Sequence, residues 1–267
     1  MKTLLALASL VLALGSPGSA QDTGERVVVP ARNTSRPRKL DVNLMHGSIT
    51  VKAYSGKEVI VEAAGGRARQ RDRNPATVDG LKRIDMPRGL NVEEQDNLIT
   101  VRSSMGDMPD ISVQVPADTS LTLHTMSGEI NVEGVKGEID VDTMSGKVTL
   151  TGVGGNVLAH SMNGSIKAAM DSVDASKPLS FTTMNGTIDV TLPADFKANV
   201  KIGTEHGAVY SDFDFKLGGG VMTTENNTAE GKYKVKMDRG LTGTINGGGA
   251  EATFKSFNGT IYIRKKK

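Results

Sequence analysis

The chain has 267 residues, 37% of them hydrophobic and only 4% aromatic, with no tryptophan and no cysteine. A formal charge of +2 is too small a basic excess for a nucleic-acid partner, and the lack of cysteine excludes disulfides and a lipid-anchored lipoprotein. With so few aromatic residues the core is expected from Val, Ile, Leu, Ala and Met, and 31 glycines imply a chain that turns often.

Residues 1–20 have the layout of an export signal. Lys2 supplies the positive start, Leu4 to Leu14 the apolar run, and Gly18-Ser19-Ala20 a small-residue cleavage site, so the mature chain is expected to begin at Gln21. Removing that segment takes away one lysine and no acid, which lowers the formal charge from +2 to +1. The apolar run is shorter than the ~20 residues a membrane helix needs, and no later run is longer, so no membrane span is expected. Residues 21–39 form a lead-in, with Val27-Val28-Val29 as a strand and a proline-bearing loop behind it.

From Leu40 onward the chain repeats. Met45-His46-Gly47-Ser48-Ile49-Thr50-Val51 is the first copy of a glycine turn followed by alternating aliphatic and polar residues. Residues 63–89 interrupt the pattern with Gly65-Gly66, Pro75, Pro87 and four arginines (Arg67, Arg69, Arg71 and Arg73), and are expected to be a loop excursion. Strands resume from Leu90, with Asp96-Asn97 as a turn, and Ile111-Ser112-Val113-Gln114-Val115 is a strand stopped by Pro116.

The central block is countable. Gly128, Gly137, Gly146, Gly155 and Gly164 fall nine residues apart, and Met-Ser-Gly or Met-Asn-Gly copies alternate with plainer ones, so the true period is eighteen. Each half is a glycine turn plus a short strand with one buried face, and two halves make one coil of an all-β solenoid. Stacking at the inter-strand distance of about 4.8 Å aligns equivalent residues in columns. Ile130, Val148, Ile166 and Ile188 form one apolar column, and Val132, Leu150, Ala168 and Val190 the next. Later copies are Glu205-His206-Gly207-Ala208-Val209 and Phe257-Asn258-Gly259-Thr260-Ile261-Tyr262-Ile263. Residues 212–227 form a second loop excursion, and residues 265–267 a basic tail behind Arg264. The repeats on both sides of each interruption make residues 40–264 one solenoid domain.

These motifs carry a resemblance. Val113-Gln114-Val115-Pro116, the serial Ser/Asn-Gly-x-Ile/Val copies, and the closing Gly-Gly-Gly-Ala…Phe-Asn-Gly-Thr-Ile-Tyr-Ile resemble the bacterial β-strand-repeat proteins classed as putative adhesins, an exported family of unknown function. The resemblance covers roughly Leu40 to Arg264. It implies a right-handed parallel β-helix at the cell envelope and brings no catalytic residues; the expected partner is an unidentified envelope, matrix or host-surface ligand.

The outward columns carry the candidate chemistry. His124, Asp142, His160 and Thr182 share one column. Imidazole and carboxylate suit divalent metals, but the two histidines are about 9.6 Å apart at the backbone, too far to converge on one ion. A polar ladder is the expectation, and neither a metal nor a cofactor is assigned. Thr125, Thr143, Ser161, Thr183 and Thr204 form a hydroxyl column that can bond between coils or to the turn backbone. Met126, Met144, Met162 and Met184 are expected to form an internal stack, packed in the core or at the corner, with a soft exposed stripe for a partner as the alternative; Glu205 in the same column argues that part of it meets solvent.

The period of nine is shared with calcium-binding repeat-in-toxin solenoids, but their Gly-Gly-x-Gly-x-Asp turns are missing here. The columns Glu129, Lys147, Ser165, Thr187 and Asn131, Thr149, Lys167, Asp189 place no paired carboxylates for acid–base work. The expected function is therefore non-enzymatic binding at the cell surface, with a periplasmic scaffold or sensor-associated module as the alternative. A polysaccharide-acting enzyme ranks behind both, and His124, Asp142 and His160 would be its best candidate residues.

Overall fold

The computed structural model describes residues 25–31, 36–64, 77–78, 81–82, 90–103, 109–218, 222–227, 232–237 and 240–267. The proposed signal and the four-arginine cluster lie outside these residues.

Among them the chain is all β. Two large sheets face each other, a front sheet of 11 strands and a back sheet of 10, and neither closes into a barrel. One coil contributes a front strand, a Ser/Asn-Gly corner and a back strand, as in Ile139–Ser145 followed by Val148–Val153. The next coil, Val157–Asn163 and Ile166–Met170, pairs in parallel with both, Ile139 against Val157 and Val148 against Ile166. The eighteen-residue period is thus the length of chain needed to return one strand spacing further on. The expected apolar columns are in register, Ile49–Ile130–Val148–Ile166–Ile188–Ile261 and Val51–Val132–Leu150–Ala168–Val190–Ile263. All of these side chains are buried between the sheets. Each large aliphatic among them stabilises the stack by roughly 1.5–3 kcal/mol relative to exposure.

The core differs from the composition-based expectation in two respects. Phe181 and Phe254 are fully buried and stacked, with ring centroids 5.7 Å apart, so two of the few aromatic residues fill neighbouring coils. Methionine contributes little to this core; Met170 is its one member among the buried hydrophobic residues described.

The order of coils in space is not the order in the chain. Lys39–His46 and Ile49–Tyr54, the first coil in sequence, lie between Leu98–Ser103/Asp110–Pro116 on one side and Ser120–Ser127/Ile130–Glu133 on the other. The far end mirrors this arrangement. The last coil, Glu251–Asn258 and Ile261–Lys265, is inserted between Leu179–Asn185/Ile188–Leu192 and Ala198–His206/Val209–Ser211. Glu205 thus joins the methionine column as expected but is not the next member after Met184, because Phe257 stands between them.

Antiparallel strands flank the parallel stack. Val59–Ala64 pairs with Asp110–Pro116, and Glu25–Val29, the expected lead-in strand, pairs outside it. Leu90–Gln95 folds back on Leu98–Ser103 through Asp96 and Asn97, both at positive φ (53° and 65°), the two-residue hairpin turn that suits Asp and Asn. At the other end Leu241–Ile245 runs against Ala198–His206 and carries Phe215–Gly218 outside it, within the segment 212–227. Met222–Asn227 and Lys232–Met237 form a separate two-stranded sheet.

The corners are where the backbone comes closest. A Cβ on Gly146 would lie 1.8 Å from the carbonyl oxygen of Gly128, and one on Gly164 would lie 1.9 Å from that of Gly146. The same contact recurs at Gly128, Gly186, Gly259 and Gly207, at 1.9–2.2 Å from the glycine oxygen of the neighbouring coil. Because the obstructing atom is backbone, no side-chain rearrangement relieves it. Gly152 is a useful contrast, with φ +61° but its nearest foreign atom 3.6 Å from a built Cβ. Gly146→Ala is expected to destabilise the fold by about 3 kcal/mol or more through overpacking, and Gly152→Ala by about 1–2 kcal/mol from the left-handed backbone alone. Urea unfolding of the two variants checks the ranking.

Candidate functional site

Strand alternation decides what the corner shows to solvent. Along Ser120–Ser127, Leu121, Leu123 and Thr125 point inward and are buried, so Thr122, His124 and Met126 point out. Each stacked coil repeats that parity. Thr125, Thr143, Ser161, Thr183 and Ser256 are buried. Most of these hydroxyls donate to the glycine carbonyl of the adjacent coil, as do Ser161 to Gly146 (3.3 Å), Thr183 to Gly164 (3.0 Å) and Ser256 to Gly186 (3.2 Å). Thr204 does the same to Gly259 at 2.9 Å. Thr143 is the exception, since its buried Oγ1 has no hydrogen-bond partner.

Immediately outside lies an exposed ladder of sulfur. Met45, Met126, Met144, Met162 and Met184 are 37–49% exposed, and Phe257 continues the column at 49%. The expected internal stack of methionines is therefore absent, and the column is the exposed stripe. The outward parity of the strand places them on the surface, with the hydroxyl column between them and the core.

Two polar columns flank the ladder. On the strand side, Asn43, His124, Asp142, His160, Thr182 and Lys255 stand in register on successive strands. His160 Nδ1 hydrogen-bonds Thr182 Oγ1 at 2.8 Å. On the turn side the column reads His46, Ser127, Ser145, Asn163, Asn185, Asn258 and His206. Its asparagines bond in series, with Asn185 Nδ2 donating to Asn163 Oδ1 and Asn258 Nδ2 to Asn185 Oδ1, both at 2.8 Å. His206 packs edge-on against Phe257 with ring centroids 5.5 Å apart. All four histidines of the chain, His46, His124, His160 and His206, thus lie along this one corner. Among the described residues no three His, Cys, Asp or Glu side chains gather closely enough to hold a metal ion.

The back face carries a second, smaller group. Tyr210 and Tyr262 stack at 5.3 Å, and Arg264 lies over the Tyr262 ring while forming a 2.8 Å bond to Asp189. That bond, reinforced by the carboxylate charge, raises the Arg264 guanidinium above its ordinary value. Lys266 reaches Asp171 at 2.9 Å beside Lys136 at 2.8 Å, and the Lys136 bond first, then the Lys266 bond, hold Asp171 below the usual carboxylate range. The basic end of the chain is therefore partly spent on neighbouring coils. Behind it, an apolar pocket of about 250 Å³ opens at the end of the stack, lined by Val200, Ile202, Val209, Phe213, Phe215 and Leu241 among others.

The profile of the Toastrack family (DUF4097) matches residues 26–242, most of the chain. The chain belongs to the Toastrack family. Among solved structures, a putative cell adhesion protein from Clostridium sporogenes is 10% identical, with 91% of this chain and 100% of that one covered and a TM-score of 0.47. A putative adhesin from Bacteroides fragilis is 9% identical, with 91% and 97% covered and a TM-score of 0.40. No curated protein matches. In this Toastrack chain the last coil, 251–265, lies beyond the matched residues yet sits inside the stack.

The hydroxyl column offers a paired test. Thr183→Val removes a donor to a backbone carbonyl and is expected to cost about 1 kcal/mol. Thr143→Val removes a buried hydroxyl that bonds to nothing, and is expected to be neutral or to stabilise by about 1 kcal/mol. Thermal unfolding of both variants beside the parent chain measures the difference.

Proposed function

We propose that this chain is exported and acts without catalysis, as an adhesin-like binding protein of the cell surface or envelope. One observation carries the reading. Of the ten exposed large hydrophobic side chains among the described residues, six (Met45, Met126, Met144, Met162, Met184 and Phe257) fall in a single column along the stack. Scattered apolar residues are ordinary on a protein surface, whereas a contiguous row bordered by polar ladders is the form of a contact site. Methionine suits that task, since its unbranched, polarizable side chain adapts to the partner's shape.

Export is supported by the charged start, apolar run and small-residue site of residues 1–20. No helix among the described residues is long and apolar enough to cross a membrane. A ligand of extended shape, such as an envelope or matrix polymer or a host-surface chain, fits a row with a repeat of about 4.8 Å.

Two measurements test the proposal. Protease treatment of intact cells is expected to digest the protein, with lysed cells as control; protection until lysis would place it in the periplasm and favour a scaffold over a surface adhesin. Replacing Met126, Met144, Met162 and Met184 together by Gln is expected to weaken binding of the purified chain to isolated cell envelopes at least tenfold. Binding equal to that of the parent would remove the corner from the account.

A further inference from the structure

The corner proposed as the contact row also carries a set of soft metal donors. Thioether sulfurs stand on successive strands about 4.8 Å apart at the backbone, close enough for two flexible methionine side chains to converge on one ion. Two residues upstream on the same face of the strand stands an imidazole, His124 above Met126 and His160 above Met162. We propose that the corner binds soft monovalent cations, copper(I) or silver(I), in two equivalent sites: His124 with Met126 and Met144, and His160 with Met162 and Met184.

The donor chemistry selects the ion. Thioethers are soft ligands that favour copper(I), and imidazole also suits copper. Hard or borderline divalent ions want carboxylates or several imidazoles, which do not gather here. The separation that prevents His124 and His160 from sharing one ion is no obstacle, because each site needs one histidine and two methionines from adjacent strands. All four methionines are 37–49% exposed, so an ion reaches them without any opening of the core.

One of the two sites is already oriented. His160 Nδ1 is bonded to Thr182 Oγ1 at 2.8 Å, which turns the ring so that Nε2 is left for a ligand. Ligating histidines are commonly fixed in this way through the other ring nitrogen. His124 faces Asp142 in register on the neighbouring strand, and that exposed carboxylate lies between the two sites, where it offsets the bound charge.

This inference uses the surface assigned above to envelope binding, and the test separates the two readings. Silver(I), which avoids copper redox chemistry, is titrated into the mature chain carrying 13C-methyl methionine and followed by NMR. The methyl signals of Met126, Met144, Met162 and Met184 are expected to shift and saturate at two silver ions per chain, while buried Met170 stays in place. Thr182→Val is expected to weaken one of the two sites about tenfold and leave the other unchanged. Replacing the four methionines by Leu removes the thioether donors and is expected to abolish silver binding with the unfolding temperature unchanged; this readout needs no envelope, so its failure leaves the envelope-binding reading standing. Silver binding that survives in the Leu variant, zinc(II) binding of equal strength at the same residues, or the absence of any saturable shift would overturn the proposal.

Discussion

The glycine at each corner allows the coils to stack at all. At the Ser/Asn-Gly turns the backbones of neighbouring coils approach so closely that a single methyl group would collide with a carbonyl oxygen. That approach has two consequences. It brings each glycine N–H within bonding distance of the next coil, as from Gly146 to Asn163 O at 3.1 Å, so the ladder runs unbroken around the turn. It also leaves the glycine oxygen facing the buried hydroxyl of the neighbouring strand, which satisfies an acceptor the turn would otherwise bury unpaired. Register, turn and inner column are thus one device. A slip of one residue would turn every inward Val and Ile to solvent.

A parallel stack held in this way still has ends, and exposed strand edges invite pairing with other chains. The interleaved order addresses part of that problem. The first and last coils in sequence are each flanked on both sides, so neither begins nor finishes the stack, and the strands at the outside are mostly antiparallel caps. The last coil is tied in further by Arg264 to Asp189 and by Lys266 to Asp171. These pairs are exposed and individually weak. Their significance is placement, because both join the inserted coil to residues from coils formed much earlier in the chain.

Much of this was legible in the sequence, and the parts that were not share a physical cause. Glycine spacing of nine, with aliphatic residues at fixed offsets, sufficed for the solenoid and for the columns through Ile130 and Val132. It could not order the coils, because each copy presents nearly the same edge and Asn185 would pair as readily with His206 as with Asn258. Only packing distinguishes them, and the stacked Phe181–Phe254 pair inside the core is one visible preference. The exposure of the methionines was available from parity alone, since inward Leu121, Leu123 and Thr125 leave Met126 outward. Hydrophobicity obscured that count. The back-face group of Tyr210, Tyr262 and Arg264 left no signal in the chain, because Tyr210 and Tyr262 lie far apart in sequence and meet only through the insertion.

The most direct test of this account is the order of coils at the C-terminal end, read with engineered cysteines in a chain that has none of its own. Asn185 and Asn258 are register partners on adjacent strands, a separation within the span of a disulfide, whereas Asn185 and His206 are two strand spacings apart, about 9.6 Å. Mild oxidation of the Asn185→Cys/Asn258→Cys variant is predicted to give an intramolecular cross-link, and the Asn185→Cys/His206→Cys variant is predicted to stay reduced under the same conditions. The reverse result would mean that the coils stack in chain order, and would contradict the interleaved architecture.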